Sequence, residues 1–111
     1  MKIVCWNVLG AKKSQLHLEV GFINRTIRLD ILILLATMVN DHNAEIIAIN
    51  LGFSNFDTIP LENRPGGLWC LCNTNNVEVT MVSKESSAIQ CHILDKCNGK
   101  QCVLSVVYAP A

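Results

Sequence analysis

Cysteine and histidine are the residues here whose types could do metal chemistry. The chain has six cysteines (Cys5, Cys70, Cys72, Cys91, Cys97 and Cys102), and His92 follows one of them directly. Cys70, Cys72, Cys91 and His92 would offer a zinc ion three thiolates and an imidazole, a tetrahedral structural set. The spacing speaks against it. There is no Cys-x-x-Cys pair, and Cys70 and Cys72 stand two apart inside a β-type run. A disulfide framework would need a secretory route. The apolar start, Ile3 to Trp6, is too short for a signal peptide and is interrupted by Asn7 and Gly10. The thiols therefore read as small apolar core side chains. Among oxygen ligands, Glu62 and Asp95 fall in a loop or a late strand, as does His92, with no spacing that predicts convergence. Asp41 and His42 read as the start of a helix.

Composition narrows the function classes. Of 111 residues, 50% are hydrophobic and 16% charged, which predicts a folded chain rather than a disordered one. Aromatics are only 5%, so the core must be built of Ile, Leu, Val and Cys. Nine basic and nine acidic residues cancel. A nucleic-acid binder usually carries a basic excess to neutralise phosphates, so DNA binding by this chain alone is expected to be weak or absent. The most apolar segment, Ile31 to Ala36, is far below the roughly 20 residues that span a bilayer. The expectation is an intracellular chain, cytoplasmic or nuclear, without a membrane segment.

These residues need elements to position them. Lys2 to Val8 alternates and is β-rich, a first strand. Leu16, Val20, Ile23 and Ile27 then recur at steps of four, three and four, a helical stripe. Ser14 suits its N-cap, and Arg25 and Arg28 suit its C-terminal end. Gly21 inside it costs about 1 kcal/mol relative to alanine. Ile31 to Leu35 has no polar alternation and predicts a strand buried on both faces. A second helix follows Asn40 or Asp41, with Ala44, Ile47, Ala48 and Leu51 as its apolar face and Gly52 as its left-handed stop. Five β-type runs come next: Asp57–Leu61, Gly67–Cys72, Val77–Ser83, Ala88–Leu94 and Cys102–Ala109. Turn signals such as Asn63-Arg64-Pro65-Gly66 and Asn98-Gly99 separate them. The order predicts an α/β chain with one mixed sheet, both helices on one face, and the first two strands central and adjacent.

In this order, the residues resemble a known family. Lys2-Ile3-Val4-Cys5-Trp6-Asn7-Val8-Leu9-Gly10 looks like the opening strand of endonuclease/exonuclease/phosphatase proteins. Leu29-Asp30-Ile31-Leu32-Ile33-Leu34-Leu35-Ala36-Thr37 resembles that family's second strand, which usually reads Pro-Asp-Ile, apolar residues, then Glu-Thr. Leu51-Gly52-Phe53, Gly66-Gly67-Leu68-Trp69 and Val107-Tyr108-Ala109-Pro110 also fall where the family has such elements. The chain is most similar in character to the endonuclease domain of plant non-LTR (LINE-type) retrotransposons. The resemblance covers essentially the whole chain as one incomplete domain. It implies the N-terminal part of a four-layered α/β/β/α sandwich.

The resemblance also implies a chemistry. In the family a divalent cation, usually magnesium, and a histidine–aspartate pair hydrolyse a phosphodiester in DNA. A hard cation takes oxygen ligands and stabilises charge on the phosphate while a base activates water. Asn7 matches the asparagine that orients phosphate and metal, and Tyr108 matches a tyrosine of the phosphate pocket. Read from the residues alone, Asn7 closes a turn and Tyr108 is a ring at the core's edge.

Two departures outweigh those matches. Ala36 stands where the family has its metal-binding glutamate, and a methyl group offers neither oxygen nor charge. The family's second half, with an Asp-x-Asn motif and a terminal Asp-His pair, is expected beyond Ala111. Leu29 in place of proline is a milder drift. The expectation is a truncated, catalytically inactive remnant with no cofactor of its own. The alternative is a non-enzymatic interaction module, in which an uncovered sheet face binds a partner or self-associates.

Overall fold

The computed structural model describes residues 1–7, 14–35, 44–60, 67–85 and 88–107. Two helices and seven strands lie in these segments, with the strands in two sheets, so the chain is mixed α/β. It divides into two compact units, Met1–Asn73 and Thr74–Ala111.

The first unit holds β1 (Ile3–Asn7), α1 (Ser14–Ile27), β2 (Ile31–Leu35), α2 (Ala44–Asn50), β3 (Asn55–Pro60) and β4 (Gly67–Cys72). Its sheet has the order β1-β2-β4-β3. β1 and β2 are parallel, with α1 as the crossover between them, while β4 runs antiparallel to both β2 and β3. The expected adjacency of the first two strands is observed. Their expected shared central position is not, because β1 is an edge strand and β4 takes the inner place beside β2. Burial explains the difference. β1 alternates between exposed and half-buried residues, as an edge permits, whereas every residue of β4 is buried.

Ile31 to Leu34 are all buried, matching the two-sided apolarity of their run. Alternate residues of β2 and β4 serve different faces. Leu32, Leu34, Trp69 and Leu71 form one core cluster with Val20 of α1, Ile47 and Ala48 of α2, and Leu51 and Phe53 beyond it. Both helices therefore pack on the same face of this sheet. Ile31, Ile33, Leu68, Cys70 and Cys72, the alternate set, are also buried.

The helix ends are built as the chain's local chemistry requires. Gly52 sits at φ 90° and donates to the Ile49 carbonyl, while Phe53 N–H reaches back to the Ala48 carbonyl. This is the expected glycine stop for α2. α1 ends differently: Arg28, not a glycine, holds the left-handed position at φ 58°. Its N–H donates to the Asn24 carbonyl, and Leu29 N–H donates to Oδ1 of Asn24, both at 2.9 Å. Asn24 thus caps α1 with backbone and side chain together.

The second unit is an antiparallel meander of β5 (Val77–Lys84), β6 (Ala88–Asp95) and β7 (Gln101–Val107). These strands form their own sheet, so the seven strands do not share the single mixed sheet expected. Period-2 patterns mark strands but not their sheet membership. Val77, Ile89, Cys91, Ile93 and Val106 are its buried apolar residues among those described. Asp95 N–H donates to the Lys100 carbonyl, Gly99 at φ 74° donates back to Asp95, and Oδ1 of Asp95 accepts from Cys97 N–H. The Asn98-Gly99 turn signal is realised there. In β5 the register shifts between Met81 and Ser83, a bulge at Val82.

Candidate functional site

Asn7 is the last residue of β1, exposed, and in parallel register with Leu35, the last residue of β2. The C-terminal ends of two parallel strands therefore lie side by side, the place where open α/β sheets carry their sites. Ala36 follows Leu35 in sequence. Ala36 and Tyr108 both lie outside the described residues, as do Glu62, Asp41 and His42. Asp41-His42-Asn43 spells both Asp-x-Asn and Asp-His, but in the segment before α2 rather than in a second half. A magnesium site needs one or two carboxylates besides water. At the positions assigned by resemblance, Asn7 brings one neutral carbonyl oxygen and Ala36 brings none, so these residues do not fit the ion.

The zinc alternative separates on β6. Cys91 and His92 are consecutive on one strand, so their side chains point to opposite faces. The Cys91 thiol lies 3.4 Å from the Met81 sulfur, and His92 Nε2 lies 2.8 Å from Oε1 of Gln101. Asp95, three residues on, is nearly buried and engaged in its turn. Cys70 and Cys72 share one face of β4, both buried. Among the described residues, no group of three or more His, Cys, Asp or Glu side chains is placed to hold a metal ion.

Sequence reasoning missed one feature: a groove of about 570 Å³ between β1 and α1. Val4, Cys5 and Trp6 line it from the strand and Leu18 and Phe22 from the helix, and among the described residues its only charged lining residue is Glu19. Leu18 and Phe22 are 69% and 64% exposed. The helical stripe through Val20 and Ile23 faces the core, which leaves Leu18 and Phe22 on the flank. The signal was present in the sequence as two large apolar residues off the stripe. Cys5, on the same strand, is exposed, yet partial burial pushes its thiol pKa up. Such a groove can bind apolar surface, and the reactive groups among its lining residues are the Cys5 thiol and the Glu19 carboxylate.

No protein-family model matches the chain, and no curated protein matches it significantly. No helix among the described residues is long and apolar enough to cross a membrane.

Proposed function

We propose that the chain is a remnant of a metal-dependent, phosphodiester-cleaving domain of the endonuclease/exonuclease/phosphatase type, catalytically inactive by itself. The observation that carries this reading is the parallel β1–β2 pair ending in register at Asn7 and Leu35. It brings the strand end bearing Asn7 next to the strand end where the resemblance expects a metal-binding glutamate. Alanine follows there instead. The two separate sheets, with both helices on one face of the first, support the finer reading of a four-layered α/β/β/α sandwich. A retrotransposon origin belongs to the same proposal and rests on the sequence resemblance.

The test uses supercoiled plasmid with magnesium, and with chelator as control. The unmodified chain and Ala36→Glu are both expected to leave the plasmid intact. One added carboxylate would bind the ion weakly, and placing and deprotonating the attacking water needs further groups besides it. Fusing a family C-terminal half to the chain should give cleavage only together with Ala36→Glu. Magnesium-dependent nicking by the unmodified chain, persisting through rigorous removal of contaminating nucleases, would overturn the inactive reading.

A second reading, a non-enzymatic interaction module, is favoured by the exposed apolar groove between β1 and α1. Capture of a partner that is lost on Phe22→Glu would support it over the first.

A further inference from the structure

The two edges of the four-stranded sheet are made differently. β3, at one edge, carries Asp57 and ends in Pro60. A charge and a proline are devices that stop a sheet edge from accepting another strand. β1, at the other edge, reads Ile-Val-Cys-Trp-Asn, with neither charge nor proline.

Hydrogen bonds fix which groups β1 turns outward. The Lys2 carbonyl accepts from the N–H groups of Asp30 and Ile31, at 2.9 and 3.2 Å, so Lys2 faces β2. Backbone polar groups alternate sides along a strand. Val4 and Trp6 therefore also face β2. The N–H and C=O groups of Ile3, Cys5 and Asn7 point to the other side, where no strand among the described residues pairs with β1. That outward set is symmetric about Cys5. A second copy of β1 laid antiparallel against it pairs Cys5 with Cys5 and Ile3 with Asn7. Every outward donor then meets an acceptor, giving about six hydrogen bonds.

The surroundings suit the same occupant. A two-fold axis perpendicular to the sheet keeps both α1 helices on one face. Leu18 and Phe22 of the two copies, exposed in the single chain, then face each other across the seam. The chain's formal net charge is zero, so two copies meet without net repulsion.

We propose that β1 is a homodimerisation edge, at which two copies pair antiparallel through Ile3–Asn7 about an axis at Cys5. The inference is independent of the nuclease ancestry.

Sedimentation velocity under reducing conditions, from low micromolar concentration upward, tests it on the whole chain. A short bismaleimide that links exposed thiols, followed by peptide mapping, reports the geometry. The expected result is a closed dimer that grows with concentration and carries a Cys5–Cys5 link. Cys5→Lys sets two like charges across the axis and should raise the dissociation constant about tenfold or more. Phe22→Glu should weaken the dimer from the helix side and leaves β1 untouched. Circular dichroism confirms that each variant is folded, and Phe22→Glu keeps the test decisive where Cys5→Lys unfolds. A monomer at every concentration overturns the proposal, as do open-ended oligomers or links through Cys102 of β7 alone. A dimer indifferent to Phe22→Glu does the same.

Discussion

Lys2 and Asp30 exchange two hydrogen bonds: Lys2 N–H donates to Oδ2 of Asp30 at 2.8 Å, and Asp30 N–H donates to the Lys2 carbonyl at 2.9 Å. Asp30 also offers its carbonyl to Asn73 N–H, so one residue ties the starts of β1 and β2 to the end of β4. Asp30→Ala removes the carboxylate that accepts from Lys2 N–H and leaves these backbone bonds in place. It should cost about 1 kcal/mol and speed amide exchange in Ile3–Asn7 more than in β4. Uniform acceleration across the sheet would show that the carboxylate does not act locally on β1.

Two substitutions around α1 should both stabilise, for opposite reasons. A Cβ at Gly21 meets nothing within 4 Å, so Gly21→Ala removes backbone freedom without a clash. Arg28 holds φ 58°, where a side chain is strained, so Arg28→Gly relieves that strain. Each should add about 0.5–1 kcal/mol in urea unfolding. Asn24→Ala should subtract about 1 kcal/mol by leaving the N–H of buried Leu29 without its acceptor. Loss of stability on Arg28→Gly would mean that the arginine side chain contributes more than its backbone costs.

Trp69 is almost fully buried, and its indole Nε1 has no hydrogen-bond partner among the described residues. Trp69→Phe loses ring volume but also removes a donor whose burial costs about 1–3 kcal/mol. The net loss should stay below about 2 kcal/mol, less than the roughly 2–5 kcal/mol expected for Leu71→Ala in the same cluster. Equilibrium unfolding of both variants decides it. A larger loss for Trp69→Phe would mean that the indole N–H is satisfied.

Burial raises the Cys5 thiol pKa, so its thiolate is scarcer in the folded chain than in the unfolded one at the same pH. Because the folded value is the higher, this contribution to stability is intact below the unfolded thiol's pKa. It is lost as pH rises through the folded one. Iodoacetamide should therefore modify Cys5 more slowly in native than in urea-unfolded chain. The pH at which modification is half-maximal should also be higher when the chain is native. Equal profiles in the two states would remove the effect.

Much of this architecture was legible in the residues, and the failures have physical causes. The run Ile31–Leu35 announced a strand buried on both sides, and Gly52 announced the end of α2, because each demand is local. The pairing of β2 with β4 was not legible, since apolar runs of similar length do not say which neighbour they choose. For the same reason β1 looked central. Asn24 escaped notice as a cap because Arg28, a residue that rarely adopts φ above zero, fills the position where glycine is expected. Of the candidate site, sequence supplied Asn7 and the missing carboxylate at Ala36. The groove beside β1 depends on how α1 is rotated over the sheet, which spacing fixes only for the stripe that faces the core.

The two sheets also differ in how far apart along the chain their partners lie. Each strand of the meander pairs with the next in sequence, whereas the β1–β2 junction joins residues 28 apart. Closing the longer loop loses more chain entropy before any contact rewards it. Refolding should accordingly run from the C-terminal end backward, with amides of Ala88–Asp95 protected in pulse labelling before those of Ile31–Leu35. A ribosome emits this chain in the other order, so β1 emerges long before the hairpins that should form fastest. The unblunted edge of β1 would then meet solvent, and its neighbours on a polysome, while the rest of its sheet is still being made.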